Sequence, residues 1–157
     1  RVGFFVAELP TDDVEGVYHW RQVLEDEAHR IAVPRLEDSD LARMRKLNDS
    51  INRERESQNR FLDLNREFHF VAFGKTGSEI LLHLLNQLWD SAARYQKTMD
   101  LARVSRAVLR EHHAALIEAF EARDVNLVNA LMAEHRALVP QSTGKITTRS
   151  TRAAAGA

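Results

Sequence analysis

Apolar residues recur every three or four positions along most of the chain, which is the spacing of one face of an amphipathic helix. Few residues interrupt these stripes, because the 157-residue sequence contains only six Gly and three Pro. In the first stripe, Val14, Val17, Leu24 and Ala28 keep this period until Pro34 ends it. The pattern predicts six helices, at about residues 11–33, 38–56, 59–75, 80–99, 105–122 and 124–139.

The predicted helix ends carry residues that favour starts and stops. Thr11 is followed by two acids that suit a first helical turn, and Asp124 opens the sixth helix. Asp38 or Ser39 is expected to cap the second helix. Gly77 follows the third helix at a position suited to a C-terminal glycine. Six helices joined by short turns predict an all-α protein, folded as an antiparallel bundle.

The two ends of the chain lack this helical pattern. The first residues are typical of a short strand, and the chain begins inside that strand without an initiator Met, so we expect partner strands upstream. The last residues are rich in Ser, Thr, Arg and Ala without periodicity, which is typical of disorder. We therefore expect a strand and linker over residues 1–9, one helical domain over residues 10–139, and a disordered tail over residues 140–157.

Composition narrows the classes of function. The net charge is −1 and no block of Lys or Arg is present, so we do not expect the chain to bind nucleic acid by itself. No stretch approaches the roughly 20 apolar residues that span a bilayer, and the first ten residues lack a leader pattern. Without Cys, any metal must be held by histidine, carboxylate or amide groups. These features favour a cytoplasmic protein that is not associated with a membrane.

Three of the seven histidines are set apart by their positions. His113 lies eleven residues before Asp124, and His135 lies eleven residues after it. In an antiparallel hairpin that turns at Asp124, equal distances bring both side chains to the same height, roughly 16 Å below the turn. Asn65 and His69 are four residues apart on the third helix and therefore share a face. Helical bundles build interior metal sites from such an i, i+4 pair combined with two histidines of a hairpin.

A single histidine on an apolar helix face is more often a hydrogen-bonded core residue than a metal ligand. The matched spacing of His113 and His135 is what favours a ligand role for these two. The other four histidines have no matched spacing, and we take them to be surface or incidental residues: His19, His29, His83 and His112.

Three segments, in this order, resemble the effector-binding domain of the FadR-type branch of GntR-family transcription regulators, which is often called the FCD domain. They are Arg21-x-x-Leu24-Glu25, then Asn65-Arg66-Glu67-Phe68-His69, then the run from His113-x-x-x-Ile117-x-Ala119 through Asp124 to Met132-x-x-His135. The resemblance covers roughly residues 10–139. The first seven residues look like the last wing strand of the family's winged helix-turn-helix domain.

The resemblance also implies a metal site. In the metal-dependent members of the branch, an Asp and three His hold a divalent ion, and a small carboxylate effector commonly coordinates it. His69, His113 and His135 match the three histidine positions, whereas Asn65 stands where the family usually has Asp. An amide carries no charge, so we expect weaker metal binding and a site that favours an anionic effector. Zn²⁺ and Ni²⁺ suit such a ligand set, and a site without metal is the alternative.

Two arginines are candidate effector-binding residues. Arg21 either forms a surface pair with Glu25 one turn later, or binds an effector carboxylate through two nitrogens of its guanidinium group. Arg94 follows Trp89 on the apolar fourth helix and is the second candidate.

The resemblance predicts a ligand-sensing domain that is not an enzyme. Regulators of this type bind operators as dimers, so we expect a homodimer that contacts DNA only through an N-terminal domain outside this chain. One alternative is a small metal-dependent hydrolase or isomerase that uses a His-bound water, although no motif such as His-Glu-x-x-His supplies a general base. The other alternative is a metal-free dimerisation bundle with core histidines.

Overall fold

The computed structural model describes residues 14–54, 57–98 and 106–138, and in these residues it contains helices and no strand. The helices are α1 Val14–Ala32, α2 Asp38–Arg53, α3 Gln58–Phe73, α4 Glu79–Thr98, α5 Arg106–Glu121 and α6 Val125–Ala137. The all-α prediction is confirmed, and each predicted helix lies within a few residues of an observed one. The predicted strand and tail, and Thr11, fall outside the described residues. No helix in the described ranges is both long and apolar enough to span a membrane.

Most helix ends follow the capping residues of the sequence. The Asp124 carboxylate accepts a hydrogen bond from the backbone N–H of Leu127 at 3.0 Å, so Asp124 caps α6 as predicted. The predicted cap of α2 is wrong by one residue, since Glu37 is the capping position. The reason is that Asp40 reaches back and accepts from the backbone N–H of Glu37 at 2.8 Å, which is one half of a capping box.

Within the described ranges, the buried apolar side chains form two clusters. The larger cluster lies between α2, α3, α5 and α6, and it includes Met44, Phe68, Leu116, Phe120 and Met132, all of which are fully buried. The smaller cluster joins α1, α4 and the end of α3 through Ala28, Phe73, Leu85 and Trp89. Deep burial of these side chains supplies most of the free energy that holds the helices together.

Two arginines tie the turns together at one end of the bundle. Arg123 lies between α5 and α6 with a φ of 56°, and its Nη2 donates to the backbone carbonyl of Leu36 at 2.6 Å. Arg35 donates from Nη1 to the carbonyl of Thr76, also at 2.6 Å. Gly77 follows with a φ of 68°, a left-handed conformation that glycine adopts without strain. These bonds anchor the α5–α6 turn, from which His113 and His135 are equally distant in sequence.

Candidate metal centre

Three buried histidines meet between α3, α5 and α6. His69, His113 and His135 are 3%, 0% and 7% exposed. Their ring centroids lie 4.8 to 5.4 Å apart, and one nitrogen of each ring lies within 4.8 Å of the others. We refer to these three residues as the histidine centre.

Local packing explains why the rings converge. His113 and His135 come from facing positions of the α5–α6 hairpin, beside the buried Leu116 and Met132. His69 comes from α3, and the adjacent Phe68 stacks on the His113 ring at a centroid distance of 4.3 Å and an angle of 22°. The hydrophobic stripes of three helices therefore carry the histidines into one interior space.

The spacing of the ring nitrogens suits a shared ion. Nε2 of His69 and Nε2 of His135 lie 3.3 Å apart. Two nitrogens that each bind a tetrahedral Zn²⁺ at about 2.0–2.1 Å stand about 3.3–3.4 Å from each other. The observed separation therefore matches the length of one edge of a zinc coordination tetrahedron.

Some nitrogens of this centre are left without partners. Nε2 of His113 and Nδ1 of His135 are buried and find no hydrogen-bond partner among the described residues. A buried polar atom in that state costs about 1–3 kcal/mol, so such atoms are rare in folded proteins. Nδ1 of His113, in contrast, lies 3.3 Å from the amide oxygen of Asn48 on α2. Nε2 of His113 is therefore available to bind a metal ion, whereas Nδ1 of His135 lies on the side of its ring away from the Nε2 that faces His69.

The protonation states also favour metal binding. Burial, and then the neighbouring His135 and His113, hold the pKa of His69 well below its usual range. Burial, followed by His135 and His112, does the same to the pKa of His113. Burial and the nearby His112 lower the pKa of His135 to about 3. The three rings are therefore neutral at physiological pH, which is the form that ligates metals.

The other predicted ligand and the second predicted arginine lie on α3 and α4. Asn65 is half-buried, one turn before His69. Arg94 is exposed on α4. The roles predicted for Asn65 and Arg94 therefore stay predictions. Glu67, Glu111 and Glu134, the acids within two residues of these histidines, are all exposed.

Arg21 belongs to a second buried polar group. Its Nε and Nη2 both lie 3.0 Å from Oε1 of Glu25, and Trp89 donates from Nε1 to the same oxygen at 2.8 Å. Arg136 of α6 donates from Nη1 to Oε2 of Glu25 at 2.7 Å. We refer to Arg21, Glu25 and Arg136 as the charged centre. The Arg21–Glu25 pair expected from the sequence is present, but it is buried and does not lie on the surface.

The charged centre holds Glu25 ionised despite its burial. Burial alone would raise the pKa of Glu25, but the Arg21 and Arg136 guanidinium groups outweigh this effect and lower that pKa below its usual value. Arg136 also pairs with the partly exposed Asp26 at 3.3 Å, so each guanidinium has a carboxylate partner, which is the condition for keeping such charges inside a protein.

Trp89 lies next to both centres. The Arg21 guanidinium carbon is 4.0 Å from the centroid of the Trp89 ring, in a cation–π arrangement, and the His69 ring is 5.3 Å from the same indole. The positive charge of Arg21 is close enough to contribute to the lowered pKa of His69. Arg21 is therefore a cation beside the histidine centre, whereas the exposed Arg94 is not.

Two histidines that we took to be incidental have defined surroundings. His29 is 1% exposed, and its Nδ1 pairs with the amide oxygen of Asn129 at 2.9 Å, so its assignment to the surface is wrong. His112 is half-buried, and its ring centroid is 6.0 Å from that of His135. Its Nδ1 is buried and has no hydrogen-bond partner among the described residues. Neither environment follows from spacing along the chain.

Sequence reasoning also missed Asn48 and Arg136. Asn48 occupies a position of the apolar stripe of α2, between Met44 and Ile51, and a polar residue at such a position was a signal of a buried hydrogen bond. Arg136 gave no comparable signal, because its partner Glu25 lies on the first helix of the chain.

Comparison with known proteins places the chain among regulatory domains. The model of the FCD domain family matches residues 16–138. No curated protein matches the chain. Among solved structures, the chain is similar to a GntR-family transcriptional regulator from Pseudomonas syringae pv. tomato str. DC3000, with a TM-score of 0.74 and 26% sequence identity, over 87% of this chain and 57% of that one.

A second similar structure is E. coli McbR/YncC, with a TM-score of 0.66 and 24% sequence identity, over 82% of this chain and 64% of that one. At this identity the likeness shows a shared fold only. The chain spans less than two thirds of the length of either protein.

Proposed function

The chain belongs to the FCD domain family, the effector-binding domains of GntR-type transcription regulators, and we propose that it senses a small carboxylate at a divalent metal ion. His69, His113 and His135 would supply three imidazole ligands, and the amide oxygen of Asn65 would supply a fourth. In the parent protein, occupancy of this site would control operator binding by an N-terminal DNA-binding domain. The domain would act as a homodimer, because operators with two half-sites are read by two-fold symmetric proteins.

One observation carries the metal proposal. The histidine centre brings three neutral, buried imidazoles together, with the Nε2 atoms of His69 and His135 3.3 Å apart and Nε2 of His113 without a partner among the described residues. A purely structural cluster would be expected to satisfy its nitrogens with protein donors and acceptors. This donor set suits Zn²⁺ or Ni²⁺, which accept imidazole readily.

The charge balance supports an anionic effector. Neutral imidazoles and an amide would leave both positive charges of a divalent ion uncompensated inside the bundle. When bound, the ion would supply a Lewis-acid position for a carboxylate oxygen. Arg21 adds a buried cation near His69, and its contact with Glu25 uses Nε and Nη2, so Nη1 lies outside that contact. A small carboxylate between the ion and Arg21 would match both positive groups.

The metal proposal is tested by competition titration. The chain is stripped of metal with a chelator, and Zn²⁺ is titrated in against a chromophoric competitor at about pH 8, where the histidines are neutral. We expect one Zn²⁺ per chain, loss of most affinity in His69→Ala, and no change in His83→Ala, which alters an exposed histidine of α4. Asn65→Asp should bind Zn²⁺ more tightly, because a carboxylate adds charge to a neutral ligand set. Equal affinities of the His69→Ala variant and the wild type would refute the site.

The effector proposal is tested by a thermal-shift screen of acetate, lactate and succinate, with and without Zn²⁺. A carboxylate that binds the folded state should raise the melting temperature only when Zn²⁺ is present. Arg21→Met should abolish that increase in melting temperature. Arg94→Met tests the second candidate arginine in the same way, and a retained increase would assign the effector contact to Arg21 alone. A Zn²⁺-loaded chain that responds to no carboxylate would contradict the effector class and leave the metal site standing.

A further inference from the structure

Helix α2 presents one polar side chain to the interior of the bundle. Asn48 lies on the buried face of α2 with Leu41, Met44 and Ile51, and it is 7% exposed. A buried amide is costly unless it is hydrogen-bonded, so its partner is informative. The partner is His113, whose Nδ1 lies 3.3 Å from Oδ1 of Asn48.

This contact dictates the tautomer of His113. An amide oxygen can only accept a hydrogen bond, so the proton of the neutral ring must be on Nδ1. The other nitrogen, Nε2, then carries a lone pair. It is this nitrogen that is buried without a partner among the described residues, in the ring that packs 4.8 Å from His135 and 5.4 Å from His69 by centroid distance.

We propose that Asn48 is a positioning residue that fixes His113 as the Nδ1–H tautomer and turns its Nε2 toward His69 and His135. The inference rests on the proposed metal site, since it assigns to Asn48 the hydrogen bond that metal-bound histidines make through their second nitrogen. Phe68 completes the arrangement, because its stacking on His113 fixes the plane of the ring while Asn48 fixes its rotation within that plane.

The chain offers a matched control for this role. Asn129 accepts a hydrogen bond from Nδ1 of His29 at 2.9 Å, which is the same amide–imidazole pair in a histidine outside the histidine centre. A leucine at either asparagine removes one amide and its bond to a histidine, and at Asn129 it also removes a bond from Nδ2 to the backbone carbonyl of Asp26 at 3.4 Å. Any effect of lost stability alone should therefore appear in both variants.

Zn²⁺ affinity is measured for Asn48→Leu, Asn48→Asp and Asn129→Leu by competition with a chromophoric chelator. We expect Asn48→Leu to weaken Zn²⁺ binding by about 10- to 100-fold, the usual cost of losing such a partner. Asn48→Asp should retain or exceed wild-type affinity, because a carboxylate accepts the same hydrogen bond more strongly. Asn129→Leu should leave the affinity unchanged. Wild-type affinity in a folded Asn48→Leu chain would overturn the proposal.

A second measurement needs neither a variant nor a metal. Long-range proton–nitrogen correlation spectra of the metal-free wild type report which ring nitrogen of each histidine carries the proton. His113 should be the Nδ1–H tautomer, and an Nε2–H tautomer would overturn the role of Asn48 even if the chain binds Zn²⁺. If the wild type binds no Zn²⁺, the proposed function fails, while the tautomer of His113 still decides whether Asn48 orients this ring.

Discussion

The charged centre and the histidine centre both adjoin Trp89, but they differ in how they satisfy their buried polar atoms. In the charged centre both oxygens of Glu25 accept hydrogen bonds, from Arg21 and Trp89 on one side and from Arg136 on the other. In the histidine centre, two ring nitrogens have no partner among the described residues. One centre is complete within the protein, and the other is not.

The difference follows from charge. A buried carboxylate cannot give up its charge without losing its partners, so the fold must supply cations and donors around it. An imidazole can escape the cost of a buried charge by staying neutral, which is what the lowered pKa values of His69, His113 and His135 indicate. A neutral cluster can therefore remain incomplete inside a stable bundle, and such a cluster retains the capacity to bind something else.

The largest loss of stability is expected from a substitution in the charged centre. Glu25→Gln would leave Arg21 without a counter-charge inside the protein and Arg136 with only the partly exposed Asp26, so we expect the free energy of unfolding to fall by about 3–5 kcal/mol in urea denaturation. Glu27→Gln is the control, because Glu27 pairs on the exposed face of the same helix. It should give no detectable change. Equal stabilities of Glu25→Gln and wild type would show that the charged centre contributes nothing to the fold.

As the pH falls, the two centres should lose their contributions to stability over different pH ranges. The pKa of His135 is lowered to about 3, so its neutral state stabilises the fold fully above its usual pKa of 6.5, and this contribution is lost as the pH falls from 6.5 toward 3. The pKa of Glu25 is lowered from 4.5, so its contribution is lost only below pH 4.5. The metal-free chain should therefore begin to lose stability well above the range in which Glu25 titrates.

His135→Leu isolates the contribution of one ring to this pH dependence. By about pH 4.5 the wild type should have lost roughly 2–3 kcal/mol more than the variant, at about 1.4 kcal/mol per pH unit. The measurement is urea denaturation of both metal-free chains over that range, with the exposed His83→Leu as control. Parallel curves for wild type and His135→Leu would contradict a strongly lowered pKa at this position.

The smallest change in stability is expected when one ring of the histidine centre is replaced in the metal-free chain. At about pH 8 and without metal, His135→Leu should change the free energy of unfolding by less than about 1 kcal/mol, because the loss of the Nε2 contact with His69 is offset by removal of the unpartnered Nδ1. The same variant should lose the increase in melting temperature that Zn²⁺ gives the wild type. A loss above about 3 kcal/mol in the metal-free variant would mean that the histidine centre is structural in its own right.

The helices could be predicted from the sequence because the spacing of their apolar residues is local and regular. The exception is the start of α2, where the reach of Asp40 back to Glu37 moved the cap by one residue. His113 and His135 could be matched because a hairpin relates positions by distance from its turn. Asn65 could be grouped with His69 by the same local rule, but whether its amide faces the other two histidines depends on how α3 is rotated in the bundle.

The charged centre could not be assembled from the sequence. Glu25 and Arg136 lie on the first and last helices, and no periodicity relates positions so far apart. Spacing predicted the pair of Arg21 with Glu25 but not its burial, which depends on α4 covering both side chains. Arg94 is exposed on α4, which its place on an apolar helix did not indicate.

The distribution of the histidines over the helices has a consequence for amide hydrogen exchange. His69, His113 and His135 belong to α3, α5 and α6, so an ion bound by them would tie these three helices directly to one another. Helix α1 would be joined to that group through the ion pair between Arg136 and Glu25. Helix α4 carries none of the three ligands. Bound metal would therefore slow exchange more in α3, α5 and α6 than in α4, dividing one bundle into regions of unequal local opening.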